Sequence, residues 1–191
     1  MIANPCPICL SQSQRRSLDG VNQFDLGLLI LRVVFGLSFA YHGYNKVFGG
    51  GKLPGTARWF ASMGMKWPIW QARMAAATEL GAGTMLALGL LTPLAAAGII
   101  GVMVVAIVTS HWKVGFFIFK PNQGWEYCFS IAVAAFVMAM IGGGEYALDH
   151  ALGIGWTAAD GWIGAIIAGV LGVGGGMLQL AVSYRPTTTA S

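Results

Sequence analysis

Long apolar runs alternate along this chain with short polar connections, and the runs have the length of helices that cross a bilayer. Such a helix needs about 20 mostly apolar residues. Five stretches meet the requirement: about Asp25 to Val47, Ile69 to Leu91, Leu94 to Trp112, Trp125 to Ile141 and Gly161 to Tyr184. Thr92-Pro93 separates the second from the third, Gly142-Gly143-Gly144 stops the fourth, and Arg185-Pro186 follows the fifth. The charge-free turn between the second and third predicts an antiparallel helical hairpin. The Gly49–Lys66 connection is amphipathic, with Trp59, Phe60 and Met63 alternating with Arg58 and Lys66, and predicts a short helix at the membrane interface. The pattern as a whole predicts an all-α polytopic membrane protein. Residues 1–24 form a polar leader, 25–150 a four-helix transmembrane bundle, 151–184 a linker and a fifth C-terminal transmembrane helix, and 185–191 a tail.

Composition narrows the class further. Hydrophobic residues make up 56% of the 191 positions and charged ones 9%, against about 25% charged in soluble domains; the chain could not cover a soluble core with polar surface. The seven tryptophans fall at span ends or in connections, as in interfacial aromatic belts. The 28 glycines suit closely packed membrane helices, and Ala168, Gly172 and Gly176 place small residues at four-residue steps on the fifth span. That face predicts docking against a neighbouring helix of this chain, of another copy or of a partner subunit.

The net charge of +4 reads as a topology signal, with membrane lipids and not nucleic acid as partners. Basic residues gather on the side that receives the connections after spans one and three. The positive-inside rule puts that side in the cytoplasm of a multi-pass cell-membrane protein. The first 25 residues lack the apolar run of a cleavable signal peptide. Cys6 and Cys9 have CxxC spacing in a polar leader without a strand–helix context, and read as part of a flexible tail.

The candidate chemistry lies in polar residues at unusual depth. Arg32 sits inside span one and Glu79 near the middle of span two, and a charge at such depth needs a partner or a cavity. Antiparallel connection brings the exit of span one, the entry of span two, the exit of span three and the entry of span four to one face. His42, Lys46, His111, Lys113 and Glu126 should converge there, with Glu79 roughly 13 Å deeper at about 1.5 Å per residue and Arg32 about one turn beyond it. His42, His111 and Glu126 are the expected proton-handling groups. Lys46, Lys113, Trp112 and Trp125 would hold a flat oxygen-bearing ligand, with Arg32 and Glu79 as a mutually neutralising floor. Each has a plainer reading: Arg32–Glu79 as a register-fixing pair, the lysines as snorkelling side chains, the histidines as interfacial. Two histidines and a carboxylate drawn from three helices carry no local metal-site spacing, so no metal is expected.

Those residues also carry a family likeness. The chain resembles DoxX-family membrane proteins in Leu31-Arg32, His42-Gly-x-x-Lys46, Gly51-x-Leu53-Pro54-Gly55, Glu79-Leu80-Gly81-x-Gly83, Gly89-Leu90-Leu91-Thr92-Pro93, His111, Gly115-Phe116-Phe117, Gly124-Trp125-Glu126 and Gly142-Gly143-Gly144-x-Tyr146-x-Leu148-Asp149. The motifs recur in family order over about residues 26–150. The resemblance implies a four-helix membrane bundle and, through relatives similar to the quinone-reducing subunit of thiosulfate:quinone oxidoreductase, a link to quinone chemistry. The leader and the fifth span depart from the four-helix pattern, and the fifth span reads as an adaptation for docking to a particular complex.

The sequence thus predicts a membrane subunit that binds quinone, or a similar lipophilic redox ligand, in a polar funnel at one membrane face. Electrons would come from a soluble or membrane redox partner, since the chain has no evident haem, flavin or iron–sulfur motif. The alternatives are a non-catalytic accessory subunit of a larger assembly and a small transporter. No inverted repeat is evident to support the latter.

Overall fold

A computed structural model describes residues 22–154 and 162–186. The leader and its two cysteines lie outside the described residues. Within them the chain is helical, and the one bridge between extended segments joins Met65 and Tyr184. The first helix, α1, covers Gln23–Phe48; Asn22 caps it by accepting the Phe24 N–H at 3.0 Å. A short helix, α2, covers Lys52–Ser62. Helix α3 spans Pro68–Leu88, with proline at its start, where the missing N–H costs nothing. Helix α4 spans Thr92–Ala106 and continues through a π-turn, Ile107–His111, and a 3₁₀ turn, Trp112–Val114. Then come α5 (Glu126–Ile141), the single turn α6 (Leu148–Ala151) and α7 (Trp162–Ser183).

Among the described residues, three segments are long and apolar enough to cross a membrane: Gln23–Phe48, Thr92–Val114 and Trp162–Ser183. Helix α5 is apolar but has 16 residues, and α3 carries Gln71, Arg73 and Glu79 among its 21. The turn between α3 and α4 is Gly89–Leu91, earlier in the chain than the expected Thr92-Pro93. Gly89 takes φ +67° and ends α3 at Leu88, with Leu90 N–H donating to Met85 O at 2.8 Å. Helix α4 therefore starts at Thr92, two residues before the expected Leu94.

Helix pairs α1–α3 and α4–α7 form the most extensive contacts, and α4 also packs on α3 and α5. The α1–α3 crossing needs glycine: a Cβ on Gly36 would lie 2.5–2.6 Å from the Ala87 nitrogen and Gly83 oxygen. On α7, Ala168, Gly172 and Gly176 are buried, and a Cβ on Gly172 would meet Ile100 of α4 at 2.7 Å. Of the neighbours open to this small-residue face, α4 of the same chain packs against it. Outward faces are apolar, with Ile30, Val34 and Leu37 on α1 and Ile166, Val170 and Leu178 on α7 exposed. Such continuous apolar exposure belongs against lipid, not water.

Candidate functional site

The two ends of the bundle hold different polar structures. One end holds a mainly apolar cavity of about 300 Å³. Helices α1, α3, α4, α5 and α7 supply its walls, and Trp59 and Phe60 of α2 and Met63 just after it reach it from the connection. His42, Lys46, Glu79 and His111 line this cavity together. Lys46 Nζ donates to both Glu79 carboxylate oxygens, at 2.6 and 2.8 Å, forming the one ion pair among the described residues. Glu79 is 4% exposed; a carboxylate buried to that degree needs a counter-charge.

The local fold explains how His111 arrives. In the π-turn, Trp112 N–H donates to Ile107 O, one residue further back than in an α-helix. The widened turn lets three consecutive residues, Thr109, Ser110 and His111, reach the same cavity. His111 Nδ1 lies 2.8 Å from Gln123 O. A carbonyl only accepts, so Nδ1 carries the proton, and Nε2 of the neutral ring remains free to accept. The His111 ring also meets Tyr127 edge-on, with centroids 5.7 Å apart.

The remaining expected site residues lie elsewhere. Glu126 does not line the cavity; its Oε2 accepts the Ile118 N–H at 3.1 Å and ties down the 115–125 loop. One residue along the helix turns the side chain away, so Tyr127 faces inward instead. Trp112 and Trp125 stack on each other, 6.0 Å apart, outside the lining, and Lys113 is exposed. The sequence reading missed Tyr127 and Gln179, both of which line the cavity. Gln179 and its hydrogen-bond partner Gln71 (2.7 Å) were visible as uncharged polar positions in helix-length apolar runs.

Arg32 requires the largest correction. It is fully buried, yet it does not pair with Glu79: Nη2 donates to Tyr146 O at 3.1 Å, Nη1 to Ala87 O at 3.4 Å, and Nε has no partner. It lies 14 residues before Lys46, or roughly 21 Å along α1, and so belongs to the opposite end of the bundle. There Asp149 caps α4 from a distant part of the chain, accepting from Leu91 N (2.7 Å), Thr92 N (2.9 Å) and Thr92 Oγ1 (2.8 Å). Asp149 N–H donates to Gly89 O at 2.9 Å, and Asp25 Oδ1 accepts from Glu145 N at 3.2 Å. These contacts stitch the glycine-rich 142–149 segment over the α3–α4 turn.

The DoxX family model matches residues 27–112, which include Arg32, His42, Lys46, Glu79 and His111. The Bacillus subtilis (strain 168) protein named "Putative oxidoreductase CatD" is 31% identical over 126 residues, 66% of this chain and 87% of that protein. The Escherichia coli (strain K12) inner membrane protein YphA is 31% identical over 143 residues, 70% of this chain and 99% of that protein. No solved structure matches. With apolar helices of spanning length, a lipid-suited outer surface and relatives matched over most of their length, the chain is a multi-pass cell-membrane protein that belongs to the DoxX family.

Proposed function

We propose that the cavity binds the head group of a quinone or a similar flat, lipophilic redox ligand, and that the protein works as the membrane subunit of a quinone-linked oxidoreductase. One observation carries this reading: an ion pair and two histidines share a small, mainly apolar cavity at one end of a membrane bundle. Its volume of about 300 Å³ is at the lower end of the range for small-molecule pockets and suits a single ring. Aromatic and methionine side chains offer apolar contact to the ring faces, and Lys46 and Tyr127 offer donors to ring oxygens. Quinone reduction takes up two electrons and two protons. His111, with Nε2 free, and His42 are placed to exchange protons with the cavity, and Glu79 holds Lys46 in place. Electrons would come from a partner protein. The name of the Bacillus subtilis relative points to the same class of chemistry.

In this reading α1, α3, α4 and α5 form the four-helix bundle and α7 the fifth crossing. Glu79 and Gln71 of α3 are compatible with the bilayer because Lys46 and Gln179 partner them inside the protein, and Arg73, near the start of the helix, stacks on Trp70. The accessory-subunit alternative is less favoured, because the small-residue face of α7 is already filled by α4.

The test uses purified protein in lipid nanodiscs titrated with a short-chain quinone, followed by quenching of tryptophan fluorescence. Saturable quenching is expected, with affinity falling about tenfold in Glu79→Gln and His111→Ala, as for loss of one buried polar contact. Unchanged affinity in both variants, or no saturable binding to the unaltered protein, would falsify the reading.

A further inference from the structure

Helix α2, with 11 residues, is a short wall of the cavity. It contributes Trp59 and Phe60 to the lining, with Met63 just past its end, and Ala57 is its one buried residue. The other walls belong to long helices whose inner faces are buried against each other. Both ends of α2 are punctuated by backbone in the left-handed region: Lys52 at φ +49° on one side, Gly64 at +89° and Trp67 at +51° on the other. Glycines 49–51 lead into it.

Helix α2 packs on α3 and α1, and the end of α7 adds backbone contacts that fasten the segment joining α2 to α3. Met65 and Tyr184 lie opposite each other in an antiparallel bridge. Lys66 N–H donates to Ser183 O and Arg185 N–H donates to Gly64 O, each at 2.8 Å. The approach is close enough that a Cβ on Gly64 would collide with the Arg185 carbonyl. One turn inward, Gln179 ties α7 to Gln71 of α3. From α4, the Ser110 hydroxyl donates to Met63 Sδ at 3.0 Å. The bundle can stay intact while two backbone hydrogen bonds and a thioether contact break locally.

We propose that the C-terminal end of α7 is the latch of the cavity: residues 183–185 hold the α2–α3 connection closed over it, and small molecules enter when that strap releases. This assigns the fifth helix a task inside its own chain. It concerns access alone and holds for any occupant, so it stands or falls separately from quinone binding.

The test reads access without a ligand. In a Cys6→Ser, Cys9→Ser, Cys128→Ala background, Thr78→Cys places a thiol on the cavity wall, and a separate chain with Val170→Cys serves as a lipid-facing control. Labelling by N-ethylmaleimide is followed by peptide mass spectrometry. Arg185→Pro and Lys66→Pro each remove one strap donor. Labelling at position 78 should rise about five- to tenfold in either, the factor for one lost hydrogen bond, with no change at position 170. An unchanged rate at 78 in both chains, or an equal rise at 170, overturns the proposal. Hydrogen exchange in the unaltered protein decides the matter if a proline chain fails to fold. The Lys66 and Arg185 amides should exchange together and at least tenfold faster than the amides of α4; exchange as slow as that of α4 overturns it.

Discussion

Glu79 and Lys46 show how one pair of side chains can carry both stability and function. The carboxylate is 4% exposed and both its oxygens meet the same ammonium group. Removing either partner leaves the other charge buried without its counter-ion, a situation that costs about 3 kcal/mol or more. Lys46→Met and Glu79→Gln should therefore each lower unfolding free energy by about that amount, read by denaturant titration in mixed micelles. The Lys46→Met/Glu79→Met double variant should regain most of the loss. Arg32 should behave differently. It braces backbone carbonyls at the far end of the bundle, so Arg32→Ala should lower stability by about 2–4 kcal/mol and leave quinone affinity unchanged. Depth along a sequence could not reveal this difference. Arg32 and Glu79 were both legible as buried charges, but choosing their partners required the register of α1 on α3. That register is set by backbone contact at Gly36 and Gly83, which leave no charge pattern in the sequence. Lys46 looked free to snorkel outward, and its long stem turns inward instead.

At the scale of elements, helix positions were readable from apolar periodicity and punctuation. Thr92-Pro93, read as the turn between α3 and α4, is the start of α4, and Gly89 ends α3; the amphipathic pattern of Gly49–Lys66 marks α2. The π-turn at Ile107–His111 was not readable, because an i→i+5 turn has no residue signature of its own, yet it brings His111 into the cavity. Glu126 was misplaced for a related reason: at a helix start, one residue of uncertainty rotates a side chain by about 100°, and Tyr127 takes the inward position. The small-residue face of α7 was legible as a packing surface, though its partner was not. Gly172→Leu should drive α7 from α4, since even a Cβ would meet Ile100 at 2.7 Å. Because α7 carries the strap, the same substitution should raise labelling at Thr78→Cys, whereas a bulky residue at Gly174, where a Cβ meets nothing within 4 Å, should not. Parallel labelling of the two chains separates these outcomes.

For the whole molecule, the proposed five crossings place Asn22 and the end of α7 on opposite sides of the membrane. The structure is consistent with this arrangement: Arg185 bonds Gly64 beside the cavity, whereas Asp25 bonds Glu145 at the far end. The charges are divided in the same sense. Lys52, Arg58, Lys66, Lys113, Lys120 and Arg185 belong to the cavity end, and Asp25, Glu145 and Asp149 to the other. A cluster of lysine and arginine in short connections is retained on the cytoplasmic side. The cavity mouth, α2 and the strap should then face the cytoplasm, where a soluble electron donor could reach them. Single cysteines at Asn22 and at Lys120, in a background without native cysteines, would be probed in sealed, right-side-out cells with a membrane-impermeant maleimide. Position 22 should label in intact cells and position 120 only after permeabilisation. Labelling of both from outside would remove the odd number of crossings, and the reverse pattern would turn the cavity outward and require an extracytoplasmic partner.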